Sequence, residues 1–246
     1  MMAVRNKRPP VDGTTIRDLT SEEVKEAEEQ REAAPSKARK GATKLHIPEL
    51  NMQVLETTVE GIEPLIVRAW DQKTMAQLAD KAMGKAPKSR ENVDPDETMN
   101  GARYISTDGW DGFPASAFKA AMVEAVSCLN LPVKDMNMKL AKKLFRVLPD
   151  GVCRVSGRQL VNIHNDDPKR FDLMQPTSGG GPYMSYRPRY LEWWVRLKIR
   201  FLANRIDAQG LLNLLAVAGE CCGIGEHRPS AKESNTGSSG LFRIKV

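Results

Sequence analysis

Residues 191–203 read LEWWVRLKIRFLA, and apolar side chains alternate there with polar ones. Because successive side chains of a β-strand point to opposite faces, the segment is expected to be a strand with one apolar face. Its other face carries an aromatic ring and three cations: Trp194, Arg196, Lys198 and Arg200. Such a row on an uncovered sheet face could bind a phosphate backbone and stack a base, but a merely solvated outer face would show the same pattern.

A second candidate site is the glycine-rich segment GIGEHRPSAKESNTGSSG, residues 223–240. Glycine lets backbone N–H groups approach an anion closely, and neighbouring basic side chains add positive charge. The candidate nucleic-acid-binding residues here are Gly223, Gly225, His227, Arg228 and Lys232, with Arg243 from the closing strand predicted at 241–246. A mobile loop between a helix and a strand is the alternative. The segment lacks a P-loop lysine pattern and precedes a strand, which excludes a nucleotide site of that kind.

The sequence carries no pattern typical of a catalytic or metal site. The four cysteines, at 128, 153, 221 and 222, lack zinc-ligand spacing and are interpreted as free thiols in a reducing cytoplasm. The histidines at 46, 164 and 227 are scattered, and a general base needs an orienting partner within hydrogen-bond reach. We therefore expect no catalytic residue, no metal and no cofactor.

The overall charge favours a polyanionic partner. The chain has 246 residues and a formal net charge of +6. Clustered Lys and Arg release the counterions that condense on phosphate chains, although a charge surplus for solubility is the alternative. No apolar run long enough for a membrane span occurs, and the first residues lack the apolar core of a secretory signal. We expect a cytoplasmic protein with no membrane partner.

Aromatic residues concentrate just before and within the first candidate strand. The cluster consists of Tyr183, Tyr186, Tyr190, Trp193 and Trp194. Interleaved with Arg187 and Arg189, these rings could stack bases. They could equally form a core or subunit-interface cluster, because aromatic residues also dominate interfaces. The sequence leaves both interpretations open.

The chain divides into a charged arm and one domain. Residues 1–44 have no apolar stripe to bury and are expected to be disordered or to become ordered in an assembly. Residues 45–246 are expected to form an α+β domain with long insertions at about 85–112 and 165–189. The predicted core elements are strand 45–59, helix 114–129, strand 143–163, strand 191–203, helix 207–220 and strand 241–246. This β-α-β-β-α-β order is that of the ferredoxin-like fold, as in RRM-like and RAMP-like domains.

Two segments of the chain resemble a known family. The glycine-rich segment that runs into the basic strand LFRIKV is similar to the signature near the C terminus of the RAMP superfamily. Its members are the ferredoxin-like RNA-binding subunits of CRISPR effector complexes. FPASAFKAAMVEA, residues 113–125, is similar to the lysine-containing start of their first helix. The chain also resembles phage and prophage proteins that share the G-I-G-E-x-R-P stretch at 223–229.

The resemblance implies a non-catalytic subunit that binds the backbone of single-stranded RNA or DNA. Such a protein would oligomerise along the strand or join a larger complex, and the two insertions would reach the next subunit. The resemblance assigns backbone contacts to Lys119, Gly223, Gly225, His227 and Arg228. The alternatives are a structural or assembly protein of a phage particle and a metal-independent RNA endonuclease that uses His46 or His227.

Overall fold

The structure is a computed structural model that describes residues 47–85, 94–129, 132, 136–165, 167–177, 180–231 and 236–245. The predicted arm, residues 1–44, and the candidate Lys232 lie outside these residues. Residue contacts define one compact unit that starts at Glu49. The division of the chain into an arm and a domain stays a prediction.

The described residues form helices and antiparallel strands, which confirms the α+β class. The strands are β1 (Met52–Gly61), β2 (Leu65–Ile66), β3 (Gly112–Pro114), β4 (Phe145–Leu148), β5 (Gly151–Val152), β6 (Gln159–Asn162), β7 (His164–Asn165), β8 (Lys169–Thr177), β9 (Gly180–Tyr190), β10 (Trp193–Leu202) and β11 (Phe242–Ile244). The helices are α1 (Gln72–Ala82), α2 (Pro95–Gly101), α3 (Ala115–Ala125), α4 (Met138–Leu144) and α5 (Ala208–Val217). None of these helices has the length and apolar character that a bilayer crossing requires.

The main sheet has β1 and β10 at its centre. Its order is β11-β1-β10-β4, and each neighbouring pair is antiparallel. The short strand β7 pairs with the start of β10. The register sets Val59 opposite Val195 on one face of the sheet and Glu60 opposite Trp194 on the other.

Alternation along β10 sorts its side chains between the two faces as the sequence predicts. Val195, Leu197 and Ile199 are fully buried, whereas Arg196 between them is exposed. The buried face joins α3 and α5 in one hydrophobic core, with Phe118 of α3 fully buried in it. Both helices therefore cover the same side of the sheet, and the side that carries Arg196 stays open.

The helix that packs behind β10 begins at an aspartate cap, Asp207. The carboxylate of Asp207 accepts a hydrogen bond of 2.8 Å from the backbone N–H of Gly210. This bond satisfies a donor that would otherwise lack a partner in the first turn of α5. Leu211, Leu214 and Leu215 then face the core from one side of the helix.

Two regions differ from the sequence-based expectation. Residues 165–189, expected only as an insertion, contain the long hairpin of β8 and β9, and β2 extends this second sheet. Glycine and proline in QPTSGGGP hide the strand alternation there. The strand predicted at 143–163 is divided among the end of α4, β4 in the main sheet, and β5 and β6, which join β3 in a third sheet. The run Pro149-Asp150-Gly151 separates these pieces as a turn.

Candidate functional site

The basic residues of the main sheet lie on its open face. We use "open face" for the side of β4, β10, β1 and β11 that points away from α3 and α5. The strand register gathers on it six basic residues, namely Arg146, Arg196, Lys198, Arg200, Arg243 and Lys245. The carboxylates that the register places among them are Glu56 and Glu60. Positive charge therefore exceeds negative charge on this face.

Half of these cations already have carboxylate partners. Arg243 Nε lies 2.8 Å from Glu60 Oε1, and Lys245 Nζ lies 3.7 Å from Glu60 Oε2. Lys198 Nζ lies 3.7 Å from Asp150 Oδ1. Partial exposure to water weakens such pairs, which contribute little to stability. Lys198, Arg243 and Lys245 are thus partly neutralised before any ligand binds.

Three arginines of the open face have no carboxylate partner within the described part of the chain. We call Arg146, Arg196 and Arg200 the free arginines. Arg146 and Arg196 are exposed and Arg200 is half-buried. Their guanidinium groups can each donate up to five hydrogen bonds in a planar fork that matches the oxygens of a phosphate.

Two of the free arginines repel each other. Arg146 on β4 is the direct cross-strand partner of Arg200 on β10. Directly opposite residues have Cβ atoms about 4.5–5.5 Å apart, and like charges at that position destabilise a sheet. An anion that bound both guanidinium groups would relieve this repulsion. The pair therefore makes the open face a better anion site than its net charge alone suggests.

A cleft of about 790 Å³ lies at the end of the open face where β7 joins β10. On its wall the rings of His164 and Trp194 stack, with centroids 3.8 Å apart and planes inclined by 13°. The two residues are direct partners in the β7–β10 pairing, which holds the stack in place. Arg243 and Lys245 line the same cleft, so it is continuous with the basic face.

The first part of the glycine-rich loop, Gly223 to Ser230, is shaped by hydrogen bonds within it. Gly225 has a φ of 84°, and a Cβ atom there would collide with the carbonyl oxygen of Ile66. Arg228 donates from Nη1 to the carbonyl oxygen of Gly225 at 2.9 Å and from Nε to Ser230 Oγ at 3.0 Å. The guanidinium of Arg228 therefore shapes the loop, which leaves it fewer donors for a ligand.

The loop lines a smaller cleft of about 300 Å³ on the helix side of the sheet. Glu226 sits in it between two arginines, 2.8 Å from Arg187 Nε and 3.3 Å from Arg68 Nη1. Residues of α3, including Ser116 and Ala120, form the opposite wall. A carboxylate inside this cleft offsets part of its positive charge.

The sequence-predicted site residues fall into two groups that the structure does not bring into one groove. Trp194, Arg196, Lys198, Arg200 and Arg243 share the open face, whereas the loop group lines the helix-side cleft. Among the residues that the structure describes, none lines both clefts. The loop group comprises Gly223, Gly225 and Arg228, with His227 between them at a φ of 58°.

Lys119 lies apart from both groups. It is half-buried on α3 and does not line either cleft. Its α3 neighbours Ser116, Ala117 and Ala120 do line the helix-side cleft, which fits their different angular position on the helix. The contact that the family resemblance assigns to Lys119 stays a prediction.

Sequence reasoning missed several contributors to the open face. Arg146 was recognisable only as part of a predicted strand, and nothing in the sequence places it beside Arg200. His164 was treated as an incidental loop residue, yet it pairs with Trp194 through β7. Lys245 follows β11 and reaches Glu60. Each of these juxtapositions depends on strand pairing between segments far apart in the chain.

The aromatic cluster divides between the core and the surface. Tyr190 and Trp193 are almost fully buried, and burial is the main cause of a raised pKa for the Tyr190 hydroxyl. Trp194 is half-buried on the open face, and Tyr183 is exposed on the hairpin. The alternative of a core cluster therefore applies to Tyr190 and Trp193, and Trp194 is the ring that faces the candidate site.

The two helices bring three thiols together near their C-terminal ends. Cys128 follows α3, and Cys221 and Cys222 follow α5, with Cys128 close enough to interact with both. Burial raises the pKa of the Cys222 thiol to about 12, and the nearby Cys128 and Glu124 act in the same direction. The Cys222 thiol therefore stays protonated and weakly reactive at neutral pH.

Comparison with known proteins assigns no function to this site, so its interpretation rests on its geometry. No protein-family model and no curated protein matches the chain. Among solved structures, the chain is similar to the crystal structure of Cmr6 from Pyrococcus furiosus, with 11% identity and a TM-score of 0.36. That similarity covers 79% of this chain and 98% of the Cmr6 chain. At this level of superposition it carries no argument about mechanism.

Proposed function

We propose that this protein binds the phosphate backbone of single-stranded RNA or DNA through the open face. The observation that carries the proposal is the set of free arginines, two of which stand directly opposite each other on neighbouring strands. A protein that needed only solubility would gain nothing from a repulsive cross-strand pair. A polyanion converts that repulsion into attraction and releases its own condensed counterions.

We also propose that the core is ferredoxin-like and related to the RAMP proteins. The core strands in chain order are β1, β4, β10 and β11. In the sheet, β11 lies beside β1, and β10 lies between β1 and β4. Helices α3 and α5 follow β1 and β10, as in a β-α-β-β-α-β arrangement. The glycine-rich loop before β11 supports the family resemblance. In this proposal the protein acts as an RNA-binding subunit of a larger assembly.

The proposed role is binding without catalysis. The ring of His164 stacks on Trp194. In the residues that the structure describes, neither His164 nor His227 hydrogen-bonds to a carboxylate that could orient it as a general base. Incubation with labelled RNA is expected to leave it intact, and cleavage that an H227A variant abolishes would establish the endonuclease alternative.

An assembly role is the second candidate, and the hairpin of β8 and β9 favours it. Met174 and Met184 are direct cross-strand partners there, and they are 67% and 45% exposed. Exposed apolar pairs on a projecting hairpin are typical of contact surfaces between proteins. A stable oligomer that persists after nuclease treatment, measured by analytical ultracentrifugation, would favour this role over oligomerisation along a nucleic acid.

The test of the proposed function compares two triple variants that lose the same charge. The first replaces the free arginines with glutamine (R146Q/R196Q/R200Q). The control replaces three lysines of α4, on the helix side (K139Q/K142Q/K143Q). Affinity for a labelled 20-nucleotide single strand is measured by fluorescence anisotropy at 0.1 M salt.

Each phosphate contact on a single strand contributes about 0.7 decades of affinity at 0.1 M salt through counterion release. The free-arginine variant is therefore expected to bind about 100-fold more weakly than wild type. The α4 variant is expected to stay close to wild type, because its lysines lie on the covered side of the sheet. Equal losses in both variants would show that net charge, and not the open face, determines binding.

A further inference from the structure

The cleft beside β7 combines aromatic rings with uncharged polar groups, whereas the free arginines of the open face offer only charged groups to a ligand. Trp110, His164 and Trp194 contribute aromatic surface, and Asn162 and Asn165 contribute amides. Its volume of about 790 Å³ lies within the range of roughly 300–1,000 Å³ that is usual for small-molecule sites. The cleft is therefore large enough for a nucleotide.

The stacked rings of His164 and Trp194 form a flat aromatic platform. Both residues are half-buried, so the stack is neither part of the core nor free to rotate in solvent. Trp193 also lines the cleft, but it is only 3% exposed, and its indole N–H is already donated to the carbonyl oxygen of Glu63 at 3.0 Å. Trp194 is the residue of the pair that can offer a ring to a ligand.

The amides of the cleft are only partly used by the protein. Asn165 donates from Nδ2 to the carbonyl oxygen of Ile163 at 3.2 Å, and this leaves its side-chain oxygen available. The side-chain amide of Asn162 makes no hydrogen bond to any of the described residues. An amide that offers a donor and an acceptor side by side can pair with the edge of a nucleobase.

We propose that this cleft is a binding pocket for one unpaired nucleobase. The inference rests on the proposed function, because a strand that follows the free arginines would pass Trp194 at the end of β10. A planar, neutral heterocycle fits stacked rings and a free amide, and it suits a cleft in which the carboxylates of Glu60 and Glu192 balance the cations Arg243 and Lys245. In a duplex both faces of each base are covered by its neighbours, so the pocket would select single strands.

The test uses a pair of apolar substitutions at Trp194. Phenylalanine keeps an aromatic ring, whereas leucine keeps apolar bulk without one (W194F and W194L). W70L is the matched control, because Trp70 is 50% exposed and lies outside the cleft. Each protein is titrated with a single strand and with a fully abasic strand of equal length, which has the phosphates but no bases.

Stacking on an aromatic side chain is worth a factor of about 5–150 in affinity. Wild type, W194F and W70L are expected to prefer the normal strand over the abasic strand by a factor in this range. W194L is expected to lose that preference while it binds the abasic strand as wild type does. N162A, a surface change, is expected to reduce the preference as well.

The outcomes separate this inference from the proposed function. Equal binding of normal and abasic strands by wild type, or an unchanged preference in W194L and N162A, would overturn the base pocket and leave backbone binding intact. Absence of binding to either strand at low salt would overturn the proposed function itself. If W194L fails to fold, the preference of N162A for the normal over the abasic strand, compared with that of wild type, tests the base pocket.

Discussion

The repulsion between Arg146 and Arg200 predicts that a single neutralising substitution stabilises the protein. Replacement of Arg200 by glutamine (R200Q) keeps most of the side chain and removes its charge. Like charges directly opposite on two strands are expected to cost about 0.2–1 kcal/mol. For a domain of this size 1 kcal/mol corresponds to about 2–4 °C in Tm, so the expected gain is roughly 0.5–4 °C.

The assay is thermal unfolding followed by circular dichroism, without nucleic acid, at two salt concentrations. The Debye length is about 30 Å at 0.01 M salt and about 3 Å at 1 M. Because the two side chains are close neighbours, the gain in Tm is expected at 0.01 M salt and should vanish at 1 M. R154Q is the control, since Arg154 is exposed and lies away from the main sheet.

A double-mutant cycle sharpens the prediction. R146Q alone should give a gain similar to that of R200Q, and the double variant should gain little more than either, because one substitution already removes the repulsion. Lower stability in R200Q, or a gain that is the same at both salt concentrations, would refute the reasoning. Lower stability would mean that Arg200 makes a favourable contact that outweighs the repulsion, and a gain independent of salt would mean that relief of charge repulsion is not its cause.

Three further predictions concern the supporting structure. D207A should lower the free energy of unfolding by about 1 kcal/mol, measured by urea denaturation, because the cap bond to α5 is lost; no loss would mean that water replaces the cap. G240A should be far more destabilising than G157A, since both glycines have positive φ but only at Gly240 would the new Cβ collide, with the carbonyl oxygen of Ile224; equal costs would contradict the packing of the loop. Native Cys222, with its pKa raised to about 12, should be alkylated by iodoacetamide at pH 8 far more slowly than in urea, as peptide mass spectrometry would show; equal rates would contradict its burial.

The main sheet was largely predictable from local patterns. Alternation in 191–203 fixed which side chains of β10 are buried, and Asp207 marked the start of α5. Side-chain alternation and helix capping depend only on residues close together in the chain, so both can be recognised in the sequence.

The rest depends on pairing between distant segments, which one sequence does not encode visibly. The Arg146–Arg200 pair requires β4 to lie beside β10 in one particular register. The His164–Trp194 stack requires a two-residue strand that no propensity indicates. The hairpin of β8 and β9 was missed because glycine, proline and charged residues obscure its period of two.

The separation of the glycine-rich loop from the open face was likewise invisible to sequence reasoning. Both segments are basic, and their charge alone gives no sign that they lie in different clefts. The first part of the loop follows α5, however, and lines a cleft with α3 on the helix side of the sheet. Charge in a sequence identifies candidates, but only the topology decides which of them can act together.

The most direct test of the central claim is the salt dependence of binding to a single strand. A plot of the logarithm of the association constant against the logarithm of salt concentration is expected to have a slope between about −2 and −4, for three to six phosphate contacts. The variant that lacks the free arginines should flatten this slope by about 2. A slope near zero for wild type, or an unchanged slope in the variant, would contradict the account.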